Sequence, residues 1–218
     1  MKTELKAKPA DAMTLLEVLI VIAVIVLLAA TLIPAPRYSK NTAQRISCIN
    51  NLKQINLAFT LWAGDHVHQF STEVYATNNV MMRAIASGNA WLFWQIMSNE
   101  LSTPKILHCP ADLQNTAATA FTPGFGDTNI SYFFNLDASE AYPQPILDGD
   151  DNLAVNGQPA GTGVLPLLTN SPVSWTNQRH NRAGNIGLSD GSVEQVSDSG
   201  LKSALAGSST NSVRLVIP

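Results

Sequence analysis

The chain has 218 residues, 45% of them apolar and only 13% charged, with a formal net charge of −3. That length accommodates one membrane-length helix and one globular domain of about 150 residues, and excludes a second catalytic domain. An acidic chain lacks the basic face that phosphate neutralisation requires, so nucleic acid is not an expected partner.

Lys2, Lys6 and Lys8 lie in a short leader, residues 1–12, ahead of an apolar run. From Met13 to Ile33 there are 21 residues in which Glu17 is the only ionisable group. At about 1.5 Å per residue such a helix covers the roughly 30 Å of a bilayer core. The run is too long for a secretory h-region, and Thr31 to Arg37 is a poor small-x-small cleavage site. A carboxylate in hydrocarbon costs about 2.5–3.5 kcal/mol, so Glu17 either reaches the headgroup region or meets a cation. A cut between Ala12 and Met13 creates such a cation, an α-amino group four residues from Glu17. Basic residues stand on both sides of the run, with Arg37, Lys40, Arg45 and Lys53 after it, so charge alone leaves the orientation open.

Ile46, Ile49, Leu52, Ile55, Phe59 and Trp62 recur at steps of three and four. This predicts an amphipathic continuation over 34–64, ended by Gly64, with its apolar stripe on a sheet. Residues 65–218 then form the globular domain. Cys48 and Cys109 form a disulfide if the domain is exported to an oxidising compartment, or stay as two half-buried thiols if it is not. Asn79 to Leu101 is a second helical candidate, whose Trp91, Phe93, Trp94, Ile96 and Met97 are best read as core. After Pro104 the segments Ile106–Cys109, Ile130–Leu136, Val164–Leu168 and Val213–Ile217 are short and β-prone. Asp190-Gly191 between Ile186–Ser189 and Ser192–Val196 signals a two-residue hairpin with positive φ angles. Ala138 to Gly163 reads as a long loop. Helices first and antiparallel strands after give an α+β fold.

Ala12-Met13-Thr14-Leu15-Leu16-Glu17, with a basic leader before and an apolar helix after, resembles the signal of type IV pilins and type II secretion pseudopilins. In that family a membrane prepilin peptidase removes the leader and methylates the new N-terminus. The glutamate at the fifth mature position, here Glu17, pairs with a neighbouring subunit's terminal amine. Pro34 stands where such helices commonly carry a proline. Ala12 and Met13 depart from the family's usual glycine and phenylalanine. The resemblance implies a pilin-like fold, a long N-terminal helix packed on an antiparallel sheet. It also implies an inner-membrane anchor, a periplasmic domain, and prepilin peptidase and other pilin-like subunits as partners.

His180 and Asp190-Gly191, with nine residues between histidine and aspartate, resemble the H-x9-D-G motif of a bacterial pilin-like group abundant in Planctomycetes and Verrucomicrobia. Cys48 to Ile55, Cys109-Pro110-Ala111-Asp112 and Ser131-Tyr132 resemble other landmarks of that group. His180 and an aspartate are a possible base and orienter, but no nucleophile elbow accompanies them, and the turn reading is preferred. Asp148-Gly149-Asp150-Asp151-Asn152 gathers oxygen ligands as a calcium loop does, without the EF-hand glycine or glutamate. A solvated acidic turn is the preferred reading, with calcium the alternative, and no other cofactor is expected. His66 and His68 lack a nearby third metal ligand. The function expected is that of a non-enzymatic filament subunit, cut at Ala12/Met13 and assembled through the stem helix. The alternative is a signal-anchored extracytoplasmic module that binds a ligand or envelope partner and does not polymerise.

Overall fold

The computed structural model describes residues 13–32, 36–66, 69–70, 72, 79–142, 145–208 and 210–218. These fall into two compact units divided after Ser39. The first contains helix α1, Leu15–Leu32. Its start is fixed by a reciprocal cap: the Glu17 amide donates to Thr14 Oγ1 at 3.3 Å and the Thr14 amide donates to Glu17 Oε2 at 2.8 Å. Thr14-Leu15-Leu16-Glu17 is thus a capping box, with Glu17 at the third helical position. Every large apolar side chain from Leu15 to Leu28 is exposed. The 18 residues of α1 rise about 27 Å, and among the described residues no helix is long and apolar enough to cross a membrane. Ala12, Ile33 and Pro34 lie outside the described residues, so a continuous stem helix is not shown.

Helix α2 spans Pro36–Asp65, and from Lys40 it belongs to the second unit. Gly64 lies inside this helix and does not end it. Cys48, Leu52, Ile55, Phe59 and Trp62 form its buried stripe, as the periodicity predicts. Ile46 is the exception, 53% exposed, because two residues of helix rotate it about 200° away from Cys48. The second helical candidate is three short helices, α3 Asn79–Ala86, α4 Trp91–Ile96 and α5 Ser98–Leu101. Gly88, at a φ of 83°, separates the first two. Pro104–Leu107 is a 3-10 turn where a strand was expected.

Nine strands follow: β1 Tyr132–Asn135, β2 Ile146–Asp150, β3 Leu153–Val155, β4 Gln158–Pro159, β5 Gly163–Leu168, β6 Val173–Trp175, β7 Gly184–Leu188, β8 Val193–Val196 and β9 Ser212–Ile217. Helix α6, Asp198–Ala206, precedes the last. Six strands make an antiparallel sheet in the order β5-β9-β1-β2-β7-β8, and β4-β3-β6 make a smaller one. The fold is α+β. The predicted loop over 138–163 is corrected, since it contains β2, β3 and β4.

The large sheet separates two cores. On one face Leu52, Ile55 and Phe59 of α2 pack with Phe93, Trp94, Tyr132 and Phe134. Phe93 and Phe134 stack with ring centres 4.0 Å apart, and Phe59 and Trp94 meet edge to face at 6.0 Å. On the other face Phe133, Ile186 and Leu215 pack with Trp175 and with Leu201 and Leu205 of α6. The alternation of Tyr132, Phe133 and Phe134 between the cores is the period-two rule of a strand.

The Cys48–Cys109 disulfide is present and ties α2 to the segment after the 3-10 turn across 61 residues of sequence. Closing a loop of that length stabilises by about 4 kcal/mol in the chain-entropy model. Paired Cys48→Ala and Cys109→Ala substitutions are expected to lower unfolding stability by about 2–5 kcal/mol. Denaturant melts against the oxidised chain measure this, and coincident midpoints would contradict it.

Candidate functional site: a buried ionic seam beneath α2

Strand β2 carries Asp148 and Asp150, both wholly buried. They pair in register with Phe134 and Tyr132, so both acids face α2 while Gly149 faces the opposite core. A bulge between Ile146 and Asp148 sends Leu147 to the α2 side as well. Neighbouring β7 presents Asn185 and Gly187 to the same face. A Cβ at Gly187 would overlap Asp148 Oδ1 and come within 2.7 Å of the Asn56 carboxamide, so only glycine leaves room for these two side chains.

The solvated acidic turn expected over 148–152 is corrected, since Asp148, Asp150 and Asn152 are buried. Asp148 and Asp150 stand on a central strand, Asp151 turns to Arg179, and Asn152 donates to the Thr176 carbonyl at 3.5 Å. The four do not converge on a solvent-facing ligand set. Asp150 Oδ2 accepts from the Asn185 amide at 2.8 Å and from its carboxamide at 2.9 Å. Arg179, only 7% exposed, donates to the Ser131 carbonyl at 3.0 Å and contacts Asp112 and Asp151. Asp112 also accepts from Ser131 Oγ at 2.7 Å and from the amides of Gln114 and Asn115.

Arg45 of α2 donates to the His180 carbonyl at 2.5 Å. The His180 ring places Nε2 3.5 Å from Cys109 Sγ and 3.6 Å from Asp150 Oδ2. Asn51 donates to the His108 carbonyl at 2.9 Å and to the Tyr132 hydroxyl at 3.3 Å. His180, Asn181 and Arg182 have φ of 54°, 54° and 60°, three successive left-handed residues without a glycine. Each such residue costs about 1–2 kcal/mol, and the anchors on His180 hold the loop in that shape.

Burial, then the neighbouring Asp150 charge, pushes the Asp148 carboxyl well above its ordinary range. Burial raises Asp150 to about 6, against the pull of Arg179. At Asp112 burial works upward too, but Arg179 and the donors from Gln114, Ser131 and Asn115 outweigh it and hold the carboxyl below its ordinary value. Burial, with the Arg45 and Arg179 cations beside it, lowers His180 to about 4. His180 and Asp150 are thus a neutral imidazole facing a carboxyl at neutral pH, not an ion pair.

The raised pKa of the Asp148 carboxyl also bears on the amide of Asn56. One end of that carboxamide stands 3.0 and 3.1 Å from the two Asp148 oxygens, and the other lies 3.4 Å from the Leu188 carbonyl and 3.3 Å from the Ser192 carbonyl. An ionised Asp148 would demand the amide nitrogen and leave the amide oxygen facing two carbonyls. With Asp148 protonated both ends would be satisfied, its O–H donating to Asn56 Oδ1 and Nδ2 donating to both carbonyls; with Asp148 ionised the swapped amide would donate to its two oxygens instead.

The H-x9-D-G residues are not a dyad. His180 precedes β7 and Asp190-Gly191 follows it, so a strand spanning about 13 Å separates them. The turn holds Leu188 through two bonds, Gly191 N–H to the Leu188 carbonyl and Leu188 N–H to the Ser192 carbonyl, both 2.9 Å. It has three loop residues, not two, and positive φ occurs at Gly191 (84°) but not at Asp190. This is the hairpin in which a left-handed glycine ends the loop. Asp190 Oδ1 instead accepts from the Ser192 amide at 2.8 Å. His66 stacks on Trp62 and His68 lies outside the described residues.

Arg45, Asn56 and Asn185 are site residues that the pattern reading missed. Their signal was present as polar residues on the inner face of α2 and at alternate positions of β7. Compared with protein-family models, curated proteins and solved structures, the chain matches none.

Because Asp148 has a raised carboxyl pKa in the fold, its burial is least costly below the unfolded value near 4 and stability is lost as pH rises above it. Asp148→Asn mimics the protonated acid and is expected to gain stability relative to the parent chain as pH rises from about 4 to 7. Denaturant melts of both chains across that range decide it. Parallel curves would show that Asp148 does not titrate abnormally.

Proposed function

We propose that the chain is a pilin-like structural subunit of a type II secretion or type IV pilus-like filament. Prepilin peptidase cuts it between Ala12 and Met13, and Met13–Ile33 anchors it in the inner membrane before assembly. The observation that carries this reading is the basic leader, Ala12/Met13, Glu17 and the apolar run in one order. The exposure of every large apolar side chain from Leu15 to Leu28 supports it, because so long an apolar surface calls for lipid or protein against it.

The outward face of α2 gives independent support. Ile46, Leu57 and Leu61 are 53%, 57% and 51% exposed and share one stripe at helical spacing. Chemistry is not required of such a subunit, whose work is burial of apolar surface and neutralisation of Glu17. The seam beneath α2 serves to hold the domain on its helix.

The capping box sets the test for Glu17, because Glu17→Ala removes cap and charge together. Glu17→Gln keeps the cap, since glutamine also completes a capping box, and removes only the charge. Both variants are expected to insert and be cleaved, with filament yield cut severely in each. Full assembly of Glu17→Gln beside failure of Glu17→Ala would assign Glu17 to capping alone. Mass spectrometry should find a mature chain beginning at Met13, and cysteines placed at Leu57 and Leu61 should crosslink between subunits. Cleavage without crosslinking would favour an anchored module that does not polymerise.

A further inference from the structure

The disulfide and the H-x9-D-G histidine meet at one point, and neither the fold nor the filament reading uses their contact. Cys48 Sγ, Cys109 Sγ and His180 Nε2 all lie within 4.8 Å of one another. A tetrahedral zinc site, with Zn–S near 2.3 Å and Zn–N near 2.0 Å, has ligand-to-ligand edges of about 3.3–3.8 Å. His180 Nε2 already stands at such edges from Cys109 Sγ (3.5 Å) and from Asp150 Oδ2 (3.6 Å). Asn185 occupies Asp150 Oδ2 with two donors, while buried Oδ1 has no hydrogen-bond partner among the described residues.

We propose that Cys48, Cys109 and His180, with Asp150 beside them, form a binding site for a zinc-class divalent cation when the disulfide is reduced. Reduction consumes two electrons and two protons from a dithiol, which is itself oxidised to a disulfide. The two new thiols then lose their protons as the cation binds, giving a two-sulfur, one-nitrogen ligand set with the Asp150 carboxylate next to it. That set is compact, buried and borderline soft, which suits Zn2+ over Mg2+ or Ca2+. Two thiolates and one carboxylate over-neutralise a divalent cation by one charge, and Arg45, which bonds the His180 carbonyl, supplies a cation beside them.

Oxidation and metal binding therefore exclude each other. Either state clips α2 to the segment around Cys109, and the metal state recruits the left-handed loop as well. A chain that has not yet met an oxidising compartment can thus hold its domain together with a metal where the exported chain uses a covalent bond.

Cobalt(II) titration of the full chain in detergent tests this, with a phosphine as reductant so that no added thiol competes. The reduced chain should take up one Co2+ with intense thiolate-to-cobalt absorption, displaced by Zn2+, and the oxidised chain none. His180→Ala should weaken uptake at least tenfold, and Asp150→Asn by about 10–100-fold. Circular dichroism of each oxidised variant establishes that it is folded, and Co2+ added before the phosphine should keep the parent chain folded through reduction. Absence of uptake by the reduced chain, equal uptake by the oxidised chain, indifference to His180→Ala in a folded variant, or unfolding despite Co2+ would each overturn the proposal.

Discussion

Two carboxyl groups on a central strand, covered by a helix, are the constraint around which the domain is arranged. An unpaired carboxylate in such a place costs several kcal/mol, so it must be neutralised or surrounded by donors. The two acids do this differently. Asp148 meets a carboxamide and a glycine and is held as the neutral acid, while Asp150 meets Asn185 and lies near Arg179. Gly187, Asn56, the orientation of the Asn56 amide and the bulge in β2 all follow from seating Asp148 under α2. Arg179 in turn needs Asp112 and Asp151, and Asp112 needs Ser131, so one buried arginine organises the loops at that end of the sheet.

An apolar pair of the same volume would fill the space at no electrostatic cost, so stability alone does not account for the acids. Register does. The inner face of α2 offers hydrophobic residues at almost every turn, and Leu52, Ile55 and Phe59 would pack acceptably if the helix slid by about one turn, roughly 5.4 Å. Asn56 would not, because that slide sets Leu52 or Thr60 against Asp148. Arg45 on the His180 carbonyl and Asn51 on the His108 carbonyl fix the same register from the other end. The disulfide adds a covalent pin at Cys48, between Arg45 and Asn51. The polar contacts select one docking geometry, and the aromatic core makes that geometry stable.

Periodicity in the sequence located what depends on apolar spacing: the buried stripe of α2, the aromatic block and the strands β1, β5, β7, β8 and β9. It failed where polarity and burial part company. Ile46 looked like core and faces outward, since a leucine-rich helix with two apolar stripes does not reveal which one the sheet covers. Asp148 and Asp150 looked like loop residues because acids are rare in central strands, and their period of two was hidden by the bulge. Helix α6 is nine residues long with a glycine in its first turn, and its Leu201 and Leu205 pair was too short a signal. Cys48, Cys109, Asp112, Ser131, Tyr132, Arg179 and His180 are scattered over more than half the chain, yet the fold gathers them around one seam.

That gathering separates two tasks along α2. The inward face is committed, since its asparagines, its arginine and its cysteine all bond within the domain and its acidic partners are wholly buried. What is left outside includes the apolar length of α1 and the stripe of Ile46, Leu57 and Leu61. Substitutions at exposed positions of this kind usually shift stability by no more than about 0.5 kcal/mol, whereas those in the seam alter register. A domain built this way can vary its outward surface without disturbing how its own helix is held. The Glu17 carboxylate likewise has a local use in closing the cap with Thr14. Any cation brought to it has to compete with those two short bonds or share the carboxylate with them. Sharing is the less costly course, because a carboxylate offers about four acceptor sites and the cap occupies two, both on the same oxygen.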